Sequence, residues 1–218
     1  MGVSFGSTHS DDLGLFLTAY EIEAPEVQRY TIEVPGRNGL LDLTNTIFGE
    51  SKFYNRTITI ELSAIYTPFA TAWPDILTAV LKAVHGQTLN VTFDDDPDWH
   101  WTGLCEVSPD AENDSFTITV DAQPYKYKLE ATTITLTLTA DVEQTITLTN
   151  EYMAATPTIT VDGGEDVNVT IVCGTSSAVF GSGSYLSSAL ALPEGETEWT
   201  VSADEACTVT ISYQEGTL

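Results

Sequence analysis

The sequence predicts a mainly β protein with two domains and one α-helix in the first domain. Three observations lead to this prediction. Several segments alternate threonine with apolar residues, one segment has helical periodicity, and the composition changes near residue 128. Alternation of polar and apolar residues is typical of strands with one buried and one wet face. At 218 residues the chain is long enough to form two small cores.

Five segments show the strand pattern most clearly. Every second residue is apolar in residues 57–62, 116–120, 134–139, 146–149 and 208–213. In the second half, turn sequences rich in glycine and proline separate short strands of this kind. We therefore expect a β-sandwich or jelly roll over residues 129–218.

Residues 73–86 are predicted to form the helix. Pro74 suits the first turn, where its missing N–H leaves no hydrogen bond unmade. Apolar residues recur at positions 76, 77, 80, 81 and 84 and form one stripe. Gly86 can adopt the left-handed conformation that ends many helices. We expect this helix to plug or flank a β-barrel, with Trp73 packing beneath it.

The charge of the chain is strongly negative. There are 32 acidic and 7 basic residues, a net charge of −25, and no lysine or arginine follows Lys128. Such a surface repels phosphates, so we expect neither stable nucleic-acid binding nor attachment to anionic membranes. The sequence has no signal-peptide pattern and no apolar run long enough to span a bilayer. The widely spaced Cys105, Cys173 and Cys207 are expected to be buried free thiols.

Residues suited to catalysis occur without a catalytic motif. The three histidines, His9, His85 and His100, stand outside any recognisable nucleophile motif. His85 ends the predicted helix, and His100 is expected on the polar face of a strand. We therefore expect no enzymatic activity and no cofactor.

Four aspartates form the best candidate for a metal site. Asp94, Asp95, Asp96 and Asp98 surround Pro97, and calcium favours several carboxylates on a tight loop. The spacing of an EF-hand is absent. The favoured interpretation is a hairpin turn between strands at residues 89–93 and 99–104, since aspartate and proline are turn formers.

Aromatic residues of the second half could bind a sugar by stacking on its apolar face. The candidates are Phe180, Tyr185 and Trp199. Core packing is the favoured alternative, because aromatic side chains in a small sandwich bury large areas.

A series of segments resembles a known family. In order, these are residues 34–43 (VPGRNGLLDL), 54–60 (YNRTITI), the helix ending at Gly86, the turn at 95–97, residues 123–127 (QPYKY) and the C-terminal residues 210–218. Together they resemble the distal tail proteins (Dit) of long-tailed, non-contractile bacteriophages and related prophages. The resemblance covers essentially the whole chain.

The resemblance implies a fold and a structural role. Residues 1–128 would form a β-barrel-like domain with a helix and a protruding hairpin, and six copies would form a ring at the tip of the virion tail. The ring would join the tail tube to the tail hub and tip proteins. Residues 129–218 would form a galectin-like sandwich that serves as a docking platform for receptor-binding proteins. Such a protein is made in the cytoplasm of the bacterial host without a signal peptide.

A closed ring requires an interface between two different surfaces of the subunit. Arg37, Lys52 and Arg56 lie in the ring-forming half and could bridge acids of a neighbouring subunit. With Asn38 and Tyr54 they make up the predicted oligomer interface. An equally weighted alternative is that Arg37 and Arg56 each form an ion pair with an acid of their own subunit. A negative lumen would keep passing DNA from adhering to the ring.

Two other functions compete with the ring-forming role. The chain could be a carbohydrate-binding or adhesin module that recognises host cell-wall sugars, or an enzyme of the cell envelope. The adhesin requires an exposed aromatic with convergent polar groups, and the enzyme requires paired carboxylates in a cleft.

Overall fold

The chain folds as two units. A computed structural model describes residues 1–48, 51–64 and 72–218, without side-chain detail for Asn45 and Phe48. The first unit is Met1–Lys126 and the second is Tyr127–Leu218. Antiparallel strands dominate both units, which confirms the prediction of a mainly β protein.

Nine strands and two α-helices lie in the described part of the first unit. They are β1 Val3–Phe5, β2 Thr8–His9, β3 Leu15–Ile22, β4 Thr31–Ile32, β5 Leu41–Asp42, α1 Thr44–Phe48, β6 Arg56–Ala64, α2 Trp73–Val84, β7 Gln87–Phe93, β8 Trp99–Asp110 and β9 Ser115–Ala122. A short 3-10 helix occupies Ser10–Leu13. Seven of these strands lie side by side in the order β2-β1-β7-β8-β9-β6-β3, which we call the seven-stranded sheet, and β4 and β5 pair separately.

The seven-stranded sheet curls around its own core. Tyr20 of the end strand β3 stacks on Phe93 of β7, with ring centroids 4.2 Å apart and an interplanar angle of 22°. These two strands stand four places apart in the sheet order. The sheet is therefore bent towards closure, in a barrel-like form.

The alternating sequences produce this core directly. Ile58, Ile60 and Leu62 of β6 are fully buried, and the intervening Thr59 and Glu61 lie on the opposite face. Helix α2 contributes Ile76 and Val80 to the same core. The helix ends two residues earlier than predicted, and Gly86 has the expected left-handed φ of +73°.

Trp73 marks the start of helix α2. It stacks on Phe116 of β9 at a centroid distance of 4.8 Å. This contact ties the first turn of the helix to the sheet, as expected for a tryptophan beneath the helix.

The second unit is built from two four-stranded sheets. Its strands are β10 Lys126–Lys128, which spans the boundary, β11 Thr132–Leu138, β12 Gln144–Asn150, β13 Thr158–Asp162, β14 Val169–Cys173, β15 Ser176–Phe180, β16 Gly183–Leu186, β17 Gly195–Ala203, β18 Cys207–Tyr213 and β19 Gly216–Thr217, with a 3-10 helix at Ser188–Leu190. One sheet has the order β11-β18-β13-β16 and the other β12-β17-β14-β15, while β10 and β19 pair with each other outside these two sheets.

The two sheets of the second unit share one core. Ile159 and Ile211 come from the first sheet, and Ile171, Trp199 and Val201 come from the second. All five side chains are fully buried. Two sheets that face each other across one core form a β-sandwich.

An ion pair fixes the C-terminal segment of the second unit. The Lys128 ammonium lies 3.0 Å from Glu215, which is only 4% exposed and also accepts hydrogen bonds from Thr132 and the Glu151 backbone N–H. Burial raises the pKa of Glu215, but the hydrogen bond from Lys128 and the other donors outweigh burial and hold this pKa below 4.5. Glu215 raises the pKa of Lys128 in return.

Substitution of Lys128 by methionine should destabilise the second unit by about 1–3 kcal/mol. This is less than the ~3–5 kcal/mol of a fully buried pair, because the Lys128 side chain is 30% exposed. Because the folded pKa of Glu215 is depressed, the pair stabilises above pH 4.5, and that contribution is lost as the pH falls through the folded pKa. Urea unfolding at pH 7 and pH 3 would test this. The exposed Lys82→Met is the control, and an equal deficit at both pH values would contradict the prediction.

Gly103 of β8 allows close approach of β9. A Cβ atom at this position would lie 2.5 Å from the Asp121 carbonyl oxygen and 2.7 Å from the Ala122 Cα. Gly103→Ala should therefore destabilise the first unit by about 1–3 kcal/mol, the usual cost of overpacking against backbone. Gly181→Ala is the control, since the nearest atom to its Cβ would be 3.7 Å away. Equal midpoints of thermal unfolding for the two variants would exclude the proposed clash.

Candidate functional site: an exposed arm

We call residues 26–54 the arm, and its described residues form a ribbon of two paired sides, with helix α1 on the returning side. It leaves the sheet after β3 and returns at β6. The Tyr54 N–H donates to the Glu26 carbonyl and the Gln28 N–H donates to the Lys52 carbonyl, both at 2.8 Å. Further along, β4 pairs with β5. The arm is therefore held together chiefly by backbone hydrogen bonds between its two sides.

The described residues of the arm contribute nothing to the core of the first unit. Their large apolar side chains are instead exposed, at 48% for Tyr30, 36% for Ile32, 63% for Leu40, 51% for Ile47 and 55% for Tyr54. Burying one such side chain contributes about 1.5–3 kcal/mol. A concentration of exposed apolar side chains on one element is typical of a protein–protein contact.

The arm is also nearly neutral in a strongly acidic protein. It contains three of the seven basic residues, Arg29, Arg37 and Lys52, and four acidic residues. The rest of the chain has 28 acidic and four basic residues. The arm is thus a part of the chain that can approach a second acidic copy with little repulsion.

A cleft of about 520 Å³ opens on the arm. It is lined by Val27, Arg29, Asp42, Thr44, Thr46 and Ser51. The Thr44 N–H donates to Asp42 Oδ1 at 2.9 Å, and the Thr44 hydroxyl accepts from the Tyr30 N–H at 2.9 Å. Thr44 and, less strongly, Arg29 lower the pKa of Asp42. Arg29 forms no ion pair with any other described residue.

Four of the five predicted interface residues lie on the arm. Arg37, Asn38, Lys52 and Tyr54 are all exposed there. The sequence did not single out Ile32, Leu40 and Ile47, although they stand in a stretch without strand alternation near Gly36 and Gly39. That loss of alternation is the signal that could have found them.

Arg56 is a correction to the predicted interface. It is only 8% exposed, and its guanidinium lies over the Trp101 ring at 4.5 Å from the centroid. Burial lowers its pKa. Arg56 faces the interior because it continues the inward series of Ile58 and Ile60 on β6. Among the described residues, neither Arg37 nor Arg56 forms the ion pair of the alternative interpretation.

The aspartate cluster forms the turn between β7 and β8, as favoured from the sequence. Asp94 accepts from the Gly2 N–H and lies 3.1 Å from His9 Nε2. Asp95 accepts from the Tyr20 hydroxyl at 2.7 Å, and Asp96 accepts from Lys126 at 2.5 Å. Within residues 1–48, 51–64 and 72–218, no three side chains are grouped to hold a metal ion. Three of the four predicted metal ligands, Asp98 excepted, therefore join distant parts of the first unit.

The histidines have structural surroundings. His85 follows helix α2, and its Nδ1 accepts from the Val107 N–H at 3.0 Å. His100 was predicted on a polar face but is only 6% exposed, and burial lowers its pKa. The prediction was wrong because the face of β8 that carries His100 is buried at this end of the strand and becomes exposed only from Leu104 onward.

The three cysteines are free. Cys105 and Cys207 are buried, whereas Cys173 is only partly buried. Burial raises the pKa of Cys105 to about 11, which leaves it inert as a thiol at neutral pH.

The aromatic candidates for sugar binding divide into core and surface. Trp199 is fully buried and Phe180 is 8% exposed, so neither can stack on a ligand. Trp199 is buried because it alternates with Val201 and Ala203 on the inner face of β17. Tyr185 is 38% exposed, packs against Phe180 at 5.5 Å and donates its hydroxyl to the Ser182 carbonyl. One exposed tyrosine remains of the predicted sugar site.

The fold and the arm together define a class of architecture. It is an all-antiparallel β protein of two units, a curled sheet with a helix and an exposed arm, followed by a β-sandwich. No helix in the described parts of the chain is long and apolar enough to cross a membrane.

Among solved structures, this fold is similar to the Dit protein of phage SPP1. That crystal structure is described as a paradigm of the hub adsorption apparatus in phages that infect Gram-positive bacteria. The match has a TM-score of 0.67 at 14% sequence identity and covers 100% of this chain and 99% of the SPP1 protein. The mainly β fold implied by the family resemblance is therefore confirmed. No family model matches the sequence, and no curated protein matches it.

The Asp94 contacts predict acid sensitivity of the first unit. The His9 hydrogen bond and the Gly2 N–H outweigh slight burial and hold the pKa of Asp94 below its ordinary value of 3.8. A depressed folded pKa stabilises above that value, and the contribution is lost as the pH falls through the folded pKa. Asp94→Asn should therefore unfold at lower urea concentration at pH 7 and approach the wild type near pH 2. The matched control is the exposed Asp98→Asn, and an Asp94→Asn deficit that does not change with pH would contradict this assignment.

Proposed function

We propose that this protein is a distal tail protein of a long-tailed phage or prophage. Six copies form a closed ring at the tail tip, and the ring joins the tail tube to the hub and tip proteins. The observation that carries the proposal is the exposed arm, on a fold that resembles the SPP1 Dit protein over its whole length. The role is structural and needs neither catalysis nor a cofactor.

The arm is suited to hold such a ring together. A ring requires that one surface of a subunit contacts a different surface of the next. The arm offers exposed apolar side chains such as Leu40 and Tyr54 outside its own core. Docking of the arm on the neighbouring body buries them, and the near-neutral charge of the arm limits repulsion between subunits.

The second unit and the outward face of the first unit's sheet suit two further parts of the proposed role, docking of other proteins and passage of DNA. The second unit serves as the docking platform for receptor-binding or hub proteins. Its 92 residues include 13 acidic residues and one base, Lys128, which is paired with Glu215. In the ring-forming unit, the outward residues of β6 and β9 are threonine, serine and acids. A wall of this composition repels DNA phosphates and leaves the lumen free of adhesion.

Light scattering after size exclusion tests the ring. The wild type is expected at six times the monomer mass of 23.6 kDa, or at twice that value if two rings stack. Leu40→Glu places a charge in the proposed contact and removes apolar burial there. It should raise the midpoint concentration of assembly at least about tenfold, since ~1.4 kcal/mol per contact is a factor of ten.

The control variant is Val142→Glu. Val142 is 48% exposed but lies in the second unit, outside the arm, so this variant should assemble like the wild type. A wild type that remains monomeric at all concentrations, alone and with tail-tube protein as template, would refute the proposed function.

A further inference from the structure

The arm and an acidic hairpin tip lie at opposite ends of the same strands. Strand β6 pairs with β9 from Arg56–Ala122 at one end to Ser63–Ser115 at the other. The arm leaves from the Arg56 end, where Ile22 of β3 pairs with Ile58. The tip between β8 and β9, residues 110–114, lies at the Ser63 end. Since β6 has nine residues, about 30 Å separates the two features.

The tip carries three carboxylates in a fixed conformation. Asp110 accepts from the backbone N–H groups of Glu112 and Asn113 and from the Asn113 side chain. Asp114 has a positive φ of 50°, and its carbonyl accepts from the Ala64 N–H. Asp110 is thus used to shape the turn. The carboxylates of Glu112 and Asp114 make no hydrogen bond with other described residues, and Glu112 is exposed.

The cleft of the arm has the complementary chemistry. Arg29 offers a planar set of donors suited to a carboxylate, and the threonine and serine side chains beside it add hydroxyl donors. The cleft is open and has a volume of about 520 Å³. Asp42 lines the same cleft, but the Thr44 N–H holds it and it forms no ion pair with Arg29.

We propose that the tip around Glu112 of one copy binds the Arg29 cleft on the arm of the next copy. The inference rests on the proposed ring and names its contact. The two surfaces differ and lie at opposite ends of one rigid sheet, which gives the head-to-tail contact that a cyclic assembly requires. The occupant is a second copy because the tip offers the Arg29 guanidinium two carboxylates, those of Glu112 and Asp114, that no described residue binds.

Other acidic groups of the first unit fit the cleft less well. Asp94, Asp95 and Asp96 form the other hairpin turn, but His9, Tyr20 and Lys126 already bind them. Glu61 and Glu106 are exposed singly within strands, so they do not project as a tip. Asp98 of that turn is exposed but single, whereas the hairpin of residues 110–114 brings together the carboxylates of Glu112 and Asp114, which no described residue binds.

A charge exchange tests the contact in the full-length protein. Arg29→Glu and Glu112→Lys should each raise the midpoint concentration of ring assembly at least about tenfold, because each places like charges opposite each other. The double variant restores opposite charges and should recover most of the wild-type midpoint. Matched controls are Lys82→Glu on helix α2 and Glu106→Lys on β8, which make the same charge changes on exposed residues elsewhere.

The outcomes separate this contact from the ring itself. If the wild type forms rings and both single variants assemble unchanged, the contact is wrong and the ring stands. If the single variants fail and the double variant fails equally, Arg29 and Glu112 do not face each other. If the wild type forms no ring, the proposed function fails first. Recovery in the double variant alone, with normal circular dichroism in all variants, establishes the contact.

Discussion

Repulsion between like charges is the constraint on which the rest of this structure depends. With 32 acids and seven bases, each base has a large effect on where segments can meet. Lys126 binds Asp96, Lys128 binds Glu215, and Arg56 is buried over Trp101. These three stabilise the units from within. The arm holds three more, where they lower the cost of bringing two acidic copies together.

The long antiparallel pairing of β3, β6, β9 and β8 fixes where the differently charged parts of the first unit lie relative to each other. The register places the arm at one end of these strands and the acidic hairpin tip at the other. Since the strands are buried on one face, a shift in register would expose the core, and the relation between the two ends is therefore rigid. The orientation of the proposed interface between copies therefore follows from the core packing.

Local patterns in the sequence predicted local structure well. The threonine alternation of β6, β9, β11, β12 and β18 and the stripe of helix α2 depend only on neighbours along the chain. The buried states of Trp199 and Arg56 depend on the phase of an alternation and on partners from other strands. Contacts such as Asp94 with His9 join residues 85 positions apart, and a single sequence contains no record of them. The arm was only partly predicted, because the exposed side chains to which we assign its role lie outside the core of their own subunit and follow no strand alternation.

The separation of the arm from the core has an evolutionary consequence. No described arm residue belongs to the hydrophobic core, so a substitution there leaves the folding of the subunit largely unaffected. Length and sequence of the arm can therefore drift while the barrel-like body persists. In the proposed ring, a lineage could acquire incompatible arms that keep its subunits from mixing with those of relatives, without any change in the scaffold that carries them.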